Sequence, residues 1–138
     1  MNLDYISGFF DADGSISMGK ERSSKPLKAL KIDFTNTKKE ILLEIQEYLL
    51  KEHNLHLAIS TKPPKADNHQ TSYCLSASSN RTCYKLCQLL NSHHPMKKHR
   101  INTVLKYHNA VVKRNGKYNE RELARRLAYE RLFFLDIF

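Results

Sequence analysis

The sequence predicts an α+β fold in which helices cover one face of a four-stranded antiparallel sheet. Apolar residues recur at spacings of three and four in five segments, which indicates helices. They alternate with polar residues in four short segments, which indicates half-buried strands. The composition, 41% hydrophobic with only 4 Gly and 4 Pro in 138 residues, argues against disorder. We expect one domain over residues 1–138.

The first half of the chain is predicted to form a helix, a β-hairpin and a second helix. In the second strand of this hairpin, Leu30, Ile32 and Phe34 share one side and polar residues share the other, so one sheet face is buried and one is exposed. Thr37, followed three residues later by Glu40, has capping-box spacing and predicts the start of the second helix. The elements before it are a helix at residues 3–12 and strands at residues 15–20 and 30–37.

The second half is predicted to add another hairpin and three helices. Asn80 is expected to cap the first of these helices, and Pro95 is expected to break the chain before the next. Asn119, with Glu122 three residues on, is expected to cap the last helix. The strands are placed at residues 55–62 and 71–78, and the middle helix at residues 97–114.

The chain is strongly basic except at its beginning. It carries 23 Lys and Arg against 14 Asp and Glu, a net charge of +9, which favours a polyanionic partner such as nucleic acid. A membrane is the weaker alternative, because no apolar run approaches the roughly 18–20 residues that span a bilayer. Residues 19–39 hold seven of the basic residues, so the exposed sheet face is either merely solvated or lies along DNA. Residues 1–18 contain three acidic residues and no basic one.

The acidic segment, YISGFFDADGSI, combines small residues with carboxylates. Ser7, Gly8 and Ala12 give the predicted helix a face with little side-chain bulk, which lets another backbone approach closely. Asp11 and Asp13 fall at the C-terminal end of this helix, where the macrodipole disfavours negative charge. We therefore expect a cation or DNA-side chemistry to compensate these carboxylates.

Two plainer interpretations of the segment are a calcium-binding loop and a core helix with capping Asp residues. The EF-hand pattern fails twice, because Ile16 stands where Gly is needed and Arg22 stands where Glu is needed. A core helix leaves the small-residue face unexplained. Gly14 is expected to permit the turn from the helix into the first strand.

Residues 6–14, ISGFFDADG, resemble the signature helix of the LAGLIDADG homing endonucleases, with one residue on each of the nine positions. The predicted order helix, hairpin, helix, hairpin, helix is also that of the family core, and the resemblance extends over at least residues 3–114. It implies a LAGLIDADG-type fold with a four-stranded antiparallel DNA-binding saddle and extra C-terminal helices. The chain holds one copy of the motif, and single-copy members of the family are homodimers.

The resemblance implies roles for residues near the motif. Asp13 matches the acidic residue that binds the catalytic divalent metal, with the backbone carbonyl of Ala12 as the usual neighbouring ligand. Asp11 matches the acidic position that helps hold the helix ends. Lys38 matches a catalytic-site polar residue at the end of the second strand, where many relatives have Gln. The basic residue that reaches the scissile phosphate is matched by Lys97, with Lys98 close behind.

The resemblance also implies two interaction surfaces. The signature helices of the family pack against each other at the two-fold axis of the dimer, and the saddle lies on DNA. The dimer interface is expected at Ser7, Gly8, Asp11 and Ala12. The residues expected to contact DNA are Ser17, Gly19, Lys20, Arg22, Lys25, Lys28, Lys31, Asp33, Thr35, Lys62, Ser72 and Cys74.

The implied function is a homodimeric, site-specific endonuclease that makes a staggered double-strand break in a long, roughly palindromic DNA target by Mg²⁺-dependent phosphodiester hydrolysis. Mn²⁺ is an alternative cofactor, and Ca²⁺ is expected to bind without supporting cleavage. Two other functions on the same scaffold stay open: a splicing maturase that binds intron RNA, and a DNA-binding protein without nuclease activity. The presence of Asp13 argues against the second. We expect an intracellular location, in an organelle or in a prokaryotic cytoplasm.

The cysteines suggest a zinc site only at first sight. Cys83 and Cys87 lie near His93 and His94, but the spacing of a zinc knuckle is absent. Both cysteines fall on one apolar face of a predicted helix, so core packing is the better interpretation. The chain has three cysteines, an odd number, and we expect them to be reduced thiols.

Overall fold

The computed structural model describes residues 1–20, 27–64, 70–113 and 116–136, and of Lys20 only the backbone. Five helices and four strands lie within these ranges, and the predicted α+β class and order of elements are confirmed. Within the same ranges, no helix is long and apolar enough to cross a membrane. The bounds are α1 Leu3–Asp13, β1 Gly14–Lys20, β2 Lys28–Asn36, α2 Lys39–His53, β3 Ala58–Lys62, β4 Ser72–Ala77, α3 Asn80–Leu89, α4 Pro95–Val111 and α5 Glu120–Phe133.

The four strands form one antiparallel sheet in the order β1-β2-β4-β3. The two hairpins meet at its centre, where β2 pairs with β4 and Thr35 lies opposite Cys74. Side chains alternate between the two faces along each strand. Ile32 and Phe34 are therefore buried under the helices, while Lys31 points to the opposite face and is exposed.

The helices enclose the core on one face of the sheet. Phe34 of β2 meets Phe10 of α1 edge-on, with ring centroids 5.8 Å apart, and both side chains are fully buried. α2 presents Leu42, Ile45 and Leu49 to the same core at spacings of three and four. Burial of each such side chain stabilises the fold by roughly 1.5–3 kcal/mol. The contact between Phe10 and Phe34 thereby holds the C-terminal end of α1 against the sheet.

α2 begins differently from the prediction. Its N-cap is Lys38, whose side chain makes no capping hydrogen bond. The Asn36 carboxamide oxygen accepts the Lys38 N–H at 2.8 Å instead. The predicted capping box of Thr37 and Glu40 is therefore wrong, because a side chain at the end of β2 closes this turn.

The other helix starts lie close to their predicted positions. Ser79 caps α3, one residue before the predicted Asn80, and its hydroxyl accepts an N–H of the first turn. Pro95 is the first residue of α4, and not the end of a segment before the helix as predicted. Proline is tolerated there because the N–H that it lacks would have no partner within the helix at that position. The capping box of Asn119 and Glu122 at the start of α5 is confirmed.

α5 is tied to the start of β2 by a buried ion pair. The Arg126 guanidinium donates to the Lys28 carbonyl oxygen at 2.7 Å, and the Glu130 carboxylate accepts the Lys28 N–H at 3.2 Å. Arg126 and Glu130 also pair with each other at 3.2 Å, and both are buried. Both backbone polar groups of Lys28 are thereby satisfied at the end of the sheet.

Candidate metal and nucleic-acid site

Asp13 is an exposed carboxylate at the junction of α1 and β1. The Asn36 side-chain amide donates to Asp13 Oδ2 at 3.2 Å, so the last residue of β2 fixes one carboxylate oxygen. Asn36 is thus the polar residue at the end of the second strand, and the assignment of that position to Lys38 is corrected. The sequence held the signal: Asn36 directly follows Thr35 at the end of the alternating pattern, two residues before Lys38.

Asp11, two residues earlier, has a different environment. Its carboxylate accepts the Ser92 hydroxyl at 2.5 Å and the His93 N–H at 2.7 Å, both from the connection between α3 and α4. Partial burial alone would raise the pKa of Asp11, but these two hydrogen bonds and the nearby charge of Lys97 outweigh it and lower the pKa. Asp11 is therefore ionised and accepts hydrogen bonds within its own chain.

Lys97 caps the C-terminal end of α1. Its ammonium donates to the backbone carbonyl oxygens of Phe10 and Asp11, each at 2.9 Å, and lies 5.3 Å from the centre of the Phe10 ring. These carbonyls belong to the last helical turn, where a positive charge complements the macrodipole. Burial lowers the pKa of Lys97, and the negative charges of Asp11 and Asp13 oppose that shift.

Lys97 is only 7% exposed, and two of its ammonium protons are directed at helix carbonyls. It therefore positions the helix end that carries Asp13, and its contact with a phosphate stays a prediction. Lys98 is exposed on α4.

The sheet face opposite the core carries most of the predicted DNA contacts. Ser17 lies opposite Lys31, and Lys62 lies opposite Ser72, so these pairs share the face that no helix covers. The predicted residues on this open face are Ser17, Gly19, Lys31, Asp33, Thr35, Lys62, Ser72 and Cys74.

A family model for a LAGLIDADG-like domain matches residues 1–92 of this chain. The chain belongs to the LAGLIDADG family. No protein with a curated description matches it.

Solved LAGLIDADG structures resemble the fold of the whole chain. The archaeal intron-encoded homing endonuclease I-Vdi141I, complexed with DNA, has 22% identity over 93% of this chain and 79% of its own, with a TM-score of 0.67. A mutant of I-SmaMI has 15% identity over 94% of this chain and 43% of its own, with a TM-score of 0.63. The LAGLIDADG meganuclease I-CpaMI, bound to uncleaved DNA, has 15% identity over 96% and 52%, with a TM-score of 0.55. At these identities the likeness shows a shared fold, and this chain spans about half the length of the last two.

The small-residue face of the LAGLIDADG helix is narrower than predicted. Gly8 and Ala12 are exposed, but Ser7 is buried and its hydroxyl accepts the Asn91 N–H at 3.0 Å. Ser7 and Asp11 therefore both have hydrogen-bond partners in the connection between α3 and α4, and their place in a dimer interface stays a prediction. Tyr5 is 48% exposed on the same side as Gly8 and Ala12.

The two glycines of the motif, Gly8 and Gly14, differ in whether the fold of one chain requires glycine at that position. A Cβ built on Gly8 meets no heavy atom within 4 Å in the described part of the chain, so the fold of one chain does not require glycine there. A Cβ on Gly14 falls 2.4 Å from the Phe10 ring and 2.8 Å from the Phe10 carbonyl oxygen. The φ angle of Gly14 is −99°, an ordinary extended value, so close packing against Phe10 explains this glycine better than the predicted conformational freedom.

Two residues that are predicted to contact DNA, Cys74 and Lys28, are not exposed on the open face of the sheet. Cys74 lies on the open face but is only 2% exposed, and its thiol donates to Asp33 at 3.5 Å. Burial raises the pKa of Cys74, followed by the effect of the Asp33 charge, so the thiol stays neutral. Lys28 lies on the covered face with its ammonium 4.7 Å from the centre of the Phe134 ring. Its assignment to the DNA surface is corrected.

The side chains of three residues that are predicted to contact DNA are not described, so these residues are assigned to neither face of the sheet. Arg22, Lys25 and the side chain of Lys20 lie outside the described residues.

The oxygen atoms at the C-terminal end of α1 meet part of what a hard divalent cation requires of its ligands. Asp13 offers an exposed carboxylate whose second oxygen is not used by Asn36, and the carbonyl of Ala12 follows the two that Lys97 occupies. Carboxylate and carbonyl oxygens are what Mg²⁺ prefers. The described residues contain no group of three His, Cys, Asp or Glu side chains able to hold a metal.

Cys83 and Cys87 are core residues. Both are buried on α3, and the Cys83 thiol donates to the Ala77 carbonyl at 3.1 Å. Burial raises the pKa of Cys83 to about 12, so this thiol stays protonated. His93 and His94 are exposed, and His94 caps α4. This arrangement agrees with core packing and not with zinc binding.

Proposed function

We propose that the protein is a Mg²⁺-dependent, site-specific DNA endonuclease that acts as a homodimer. The observation that carries the proposal is Asp13, an exposed carboxylate held by Asn36 beside an uncovered, polar sheet face. Family membership supports the endonuclease activity, and several solved relatives are bound to DNA. The alternatives, an RNA maturase or a silent DNA-binding protein, are outcomes of the experiment below.

The proposed dimer places two copies of α1 against each other at a two-fold axis. Gly8 and Ala12 are exposed, and the described part of a single chain gives Gly8 no packing reason to lack a side chain. A second α1 packed on this face supplies such a reason, because small residues four apart let helix backbones approach closely. Such a dimer would bring the two Asp13 carboxylates close to the same axis.

Each residue at the helix junction has a role in the proposed cleavage. Asp13 and the carbonyl of Ala12 would hold Mg²⁺, which would supply Lewis-acid chemistry for phosphodiester hydrolysis. Asn36 orients the Asp13 carboxylate by its hydrogen bond. Lys97 fixes the last turn of α1 and adds positive potential behind the carboxylates. Lys31 and Lys62 on the open face bind phosphates, and the symmetric dimer selects a roughly palindromic target.

The test uses a circular plasmid library with random inserts, incubated with the protein in Mg²⁺ and separately in Ca²⁺, followed by sequencing of the broken ends. We expect one long, near-palindromic site to be cut on both strands in Mg²⁺ only. On that site, Asp13→Asn is expected to lower the cleavage rate by at least about 10³-fold, equivalent to about 4 kcal/mol, while binding is retained.

The matched control is Glu44→Gln, which removes an exposed carboxylate from α2, away from the proposed interface. It should cut the site at the parental rate. If Asp13→Asn cleaves as fast as the parent, the assignment of Asp13 is wrong. If the parent cuts no insert but binds structured RNA tightly in the same preparation, the maturase replaces the endonuclease.

A further inference from the structure

The open face of the sheet carries one carboxylate, Asp33, among side chains that bear hydroxyl, thiol or ammonium groups. Asp33 lies in β2, opposite Ser15 of β1 on one side and opposite Ser76 of β4 on the other. Within the described strands, the other polar side chains of this face belong to Ser, Thr, Cys and Lys, and none of them is acidic. Asp33 is therefore a chemical exception on a surface whose charges are otherwise positive.

Two neighbouring side chains hold one oxygen of the Asp33 carboxylate. The Cys74 thiol donates to Oδ1 at 3.5 Å, and the Lys31 ammonium lies 3.7 Å from the same atom. Among the described residues, Oδ2 has no donor of this kind, and the Asp33 side chain is 16% exposed. One oxygen is thus used within the chain, and the other remains an acceptor on a side chain that solvent reaches.

Asp33 also differs from its neighbours in hydrogen-bonding capacity. An ionised carboxylate only accepts hydrogen bonds, whereas a lysine ammonium only donates them and a serine or threonine hydroxyl does both. Because phosphates repel a carboxylate, Asp33 does not contribute to the general attraction between a basic surface and DNA. It favours DNA binding only where it meets a hydrogen-bond donor on the edge of a base.

The major groove presents such donors on two of the four bases. Cytosine offers its N4 amino group with no acceptor beside it, and adenine offers its N6 amino group next to the N7 acceptor. Guanine and thymine offer acceptors at the corresponding places, which a carboxylate does not bind. Since the N7 lone pair of adenine repels the carboxylate, cytosine is the base that suits an acceptor-only side chain best.

We propose that Asp33 selects a cytosine in each half of the DNA target by accepting a hydrogen bond from the N4 amino group. The inference rests on the proposed function, because it requires double-stranded DNA on the open face of the sheet. Cys74 and Lys31 occupy Oδ1, which leaves Oδ2 for the base. In the homodimer, the two copies of Asp33 contact two positions related by the two-fold axis, with the cytosines on opposite strands.

A plainer role for Asp33 is to orient the ammonium of Lys31. The Lys31 side chain is 49% exposed and lies close enough to Asp33 for an ion pair. In that case, substitutions of Asp33 and of Lys31 would alter the same contact with DNA. The two roles therefore differ in which position of the target responds to each substitution.

The first measurement determines base preference from binding, so that it does not depend on cleavage. A library of double-stranded DNA with random sequence is incubated with the protein in Ca²⁺, and the bound DNA is sequenced after several rounds of selection. We expect a symmetric pair of positions at which cytosine is preferred by about tenfold or more, as is typical of a hydrogen bond to a charged group.

Asp33→Asn identifies the positions that Asp33 contacts, and it keeps the shape of the side chain. Because a carboxamide binds N6 and N7 of adenine together, we expect both symmetric positions to change from cytosine to adenine, again by about tenfold or more. All other positions should keep their preference. The matched control, Glu44→Gln, removes one negative charge from the exposed side of α2 and should leave every preference unchanged.

Lys31→Met tests the plainer role. We expect it to weaken binding to all sequences about equally and to lower the log–log salt slope by about 0.9 for each copy, as for a lost phosphate contact. Cytosine should still be preferred at the positions that respond to Asp33→Asn. If Lys31→Met removes the preference at those same positions, Asp33 acts by orienting Lys31 and the proposal is wrong.

Two further results would overturn the proposal, and they bear differently on the endonuclease. If Asp33→Asn keeps the parental preference while the parent still cuts its site, the choice of cytosine by Asp33 is wrong and the proposed function stands. If the parent selects no double-stranded DNA and cuts no insert, both proposals fail together.

Discussion

The inward and outward faces of α1 differ in how many hydrogen-bonding and packing contacts the rest of the chain makes with them. On the inward face, Ser7 accepts the Asn91 N–H, Asp11 accepts from Ser92 and His93, and Phe10 packs on the sheet. On the outward face, Gly8 and Ala12 are exposed, and Gly8 has open space around its missing side chain in the described structure. One short helix therefore combines a face whose groups bond and pack within the chain with a face that is exposed.

The two acidic residues of the motif show the same difference. Asp11 bonds to the connection between α3 and α4, whereas Asp13 is exposed and, among the described residues, accepts one side-chain hydrogen bond, from Asn36. Because the carboxylates are two residues apart on a helix, they point in different directions. Asp11 thus stabilises the fold, and Asp13 remains open to a ligand. The three predictions below test this division, from the largest expected effect to the smallest.

The first prediction concerns Lys97, whose ammonium binds backbone carbonyls at the C-terminal end of α1. Lys97→Met keeps the approximate shape but removes the donors to the Phe10 and Asp11 carbonyls. We expect the free energy of unfolding to fall by about 2–4 kcal/mol, measured by urea denaturation, because hydrogen bonds to charged groups contribute about 1.5–3 kcal/mol each. Lys98→Met, its exposed neighbour, should change stability by less than about 0.5 kcal/mol. Unchanged stability combined with lost cleavage would assign Lys97 to the chemistry instead.

The second prediction concerns Asp11 and its pH dependence. Asp11→Asn is expected to cost about 1–2 kcal/mol of stability, because it weakens two hydrogen bonds to a partly exposed carboxylate. The pKa of Asp11 is lowered in the folded state, so its contribution is fully present above the ordinary value of 3.8 and is lost as the pH falls through the folded pKa. The stability difference between parent and variant should therefore shrink in denaturation series taken to acid pH. Asp13→Asn should leave stability nearly unchanged.

A difference that stays constant down to pH 2 would contradict this role of Asp11. So would an equal loss of stability in Asp11→Asn and Asp13→Asn.

Local patterns predicted the order of the elements and the end of α1, because both depend on spacing along the chain. The period of the apolar residues fixed the order of the elements, and the small residues beside two carboxylates marked the end of α1. The alternation along β2 also placed Lys31 and Thr35 on the open face correctly.

Contacts between distant segments could not be predicted in this way. Ser7 bonds to a residue 84 positions away, and Lys97 bonds to carbonyls 86 and 87 positions away. A periodic pattern shows that a face is apolar or small, but not which segment covers it. Alternation placed Cys74 on the open face, but it did not indicate that the thiol would be 2% exposed and bonded to Asp33 of another strand. Lys28 is on the covered face because the strand extends two residues further back than predicted.

The third prediction compares Gly8 with a glycine off the interface. Gly8→Ala should raise the stability of the single chain by about 0.5–1 kcal/mol, since alanine is the better helix residue and its methyl group meets open space. The same methyl group should weaken self-association, measured by analytical ultracentrifugation, because it separates two closely packed helices. Gly19→Ala, on the open face of β1, also meets open space and should leave self-association unchanged. Equal dimer dissociation constants in the two variants would show that the outward face of α1 does not hold the second copy.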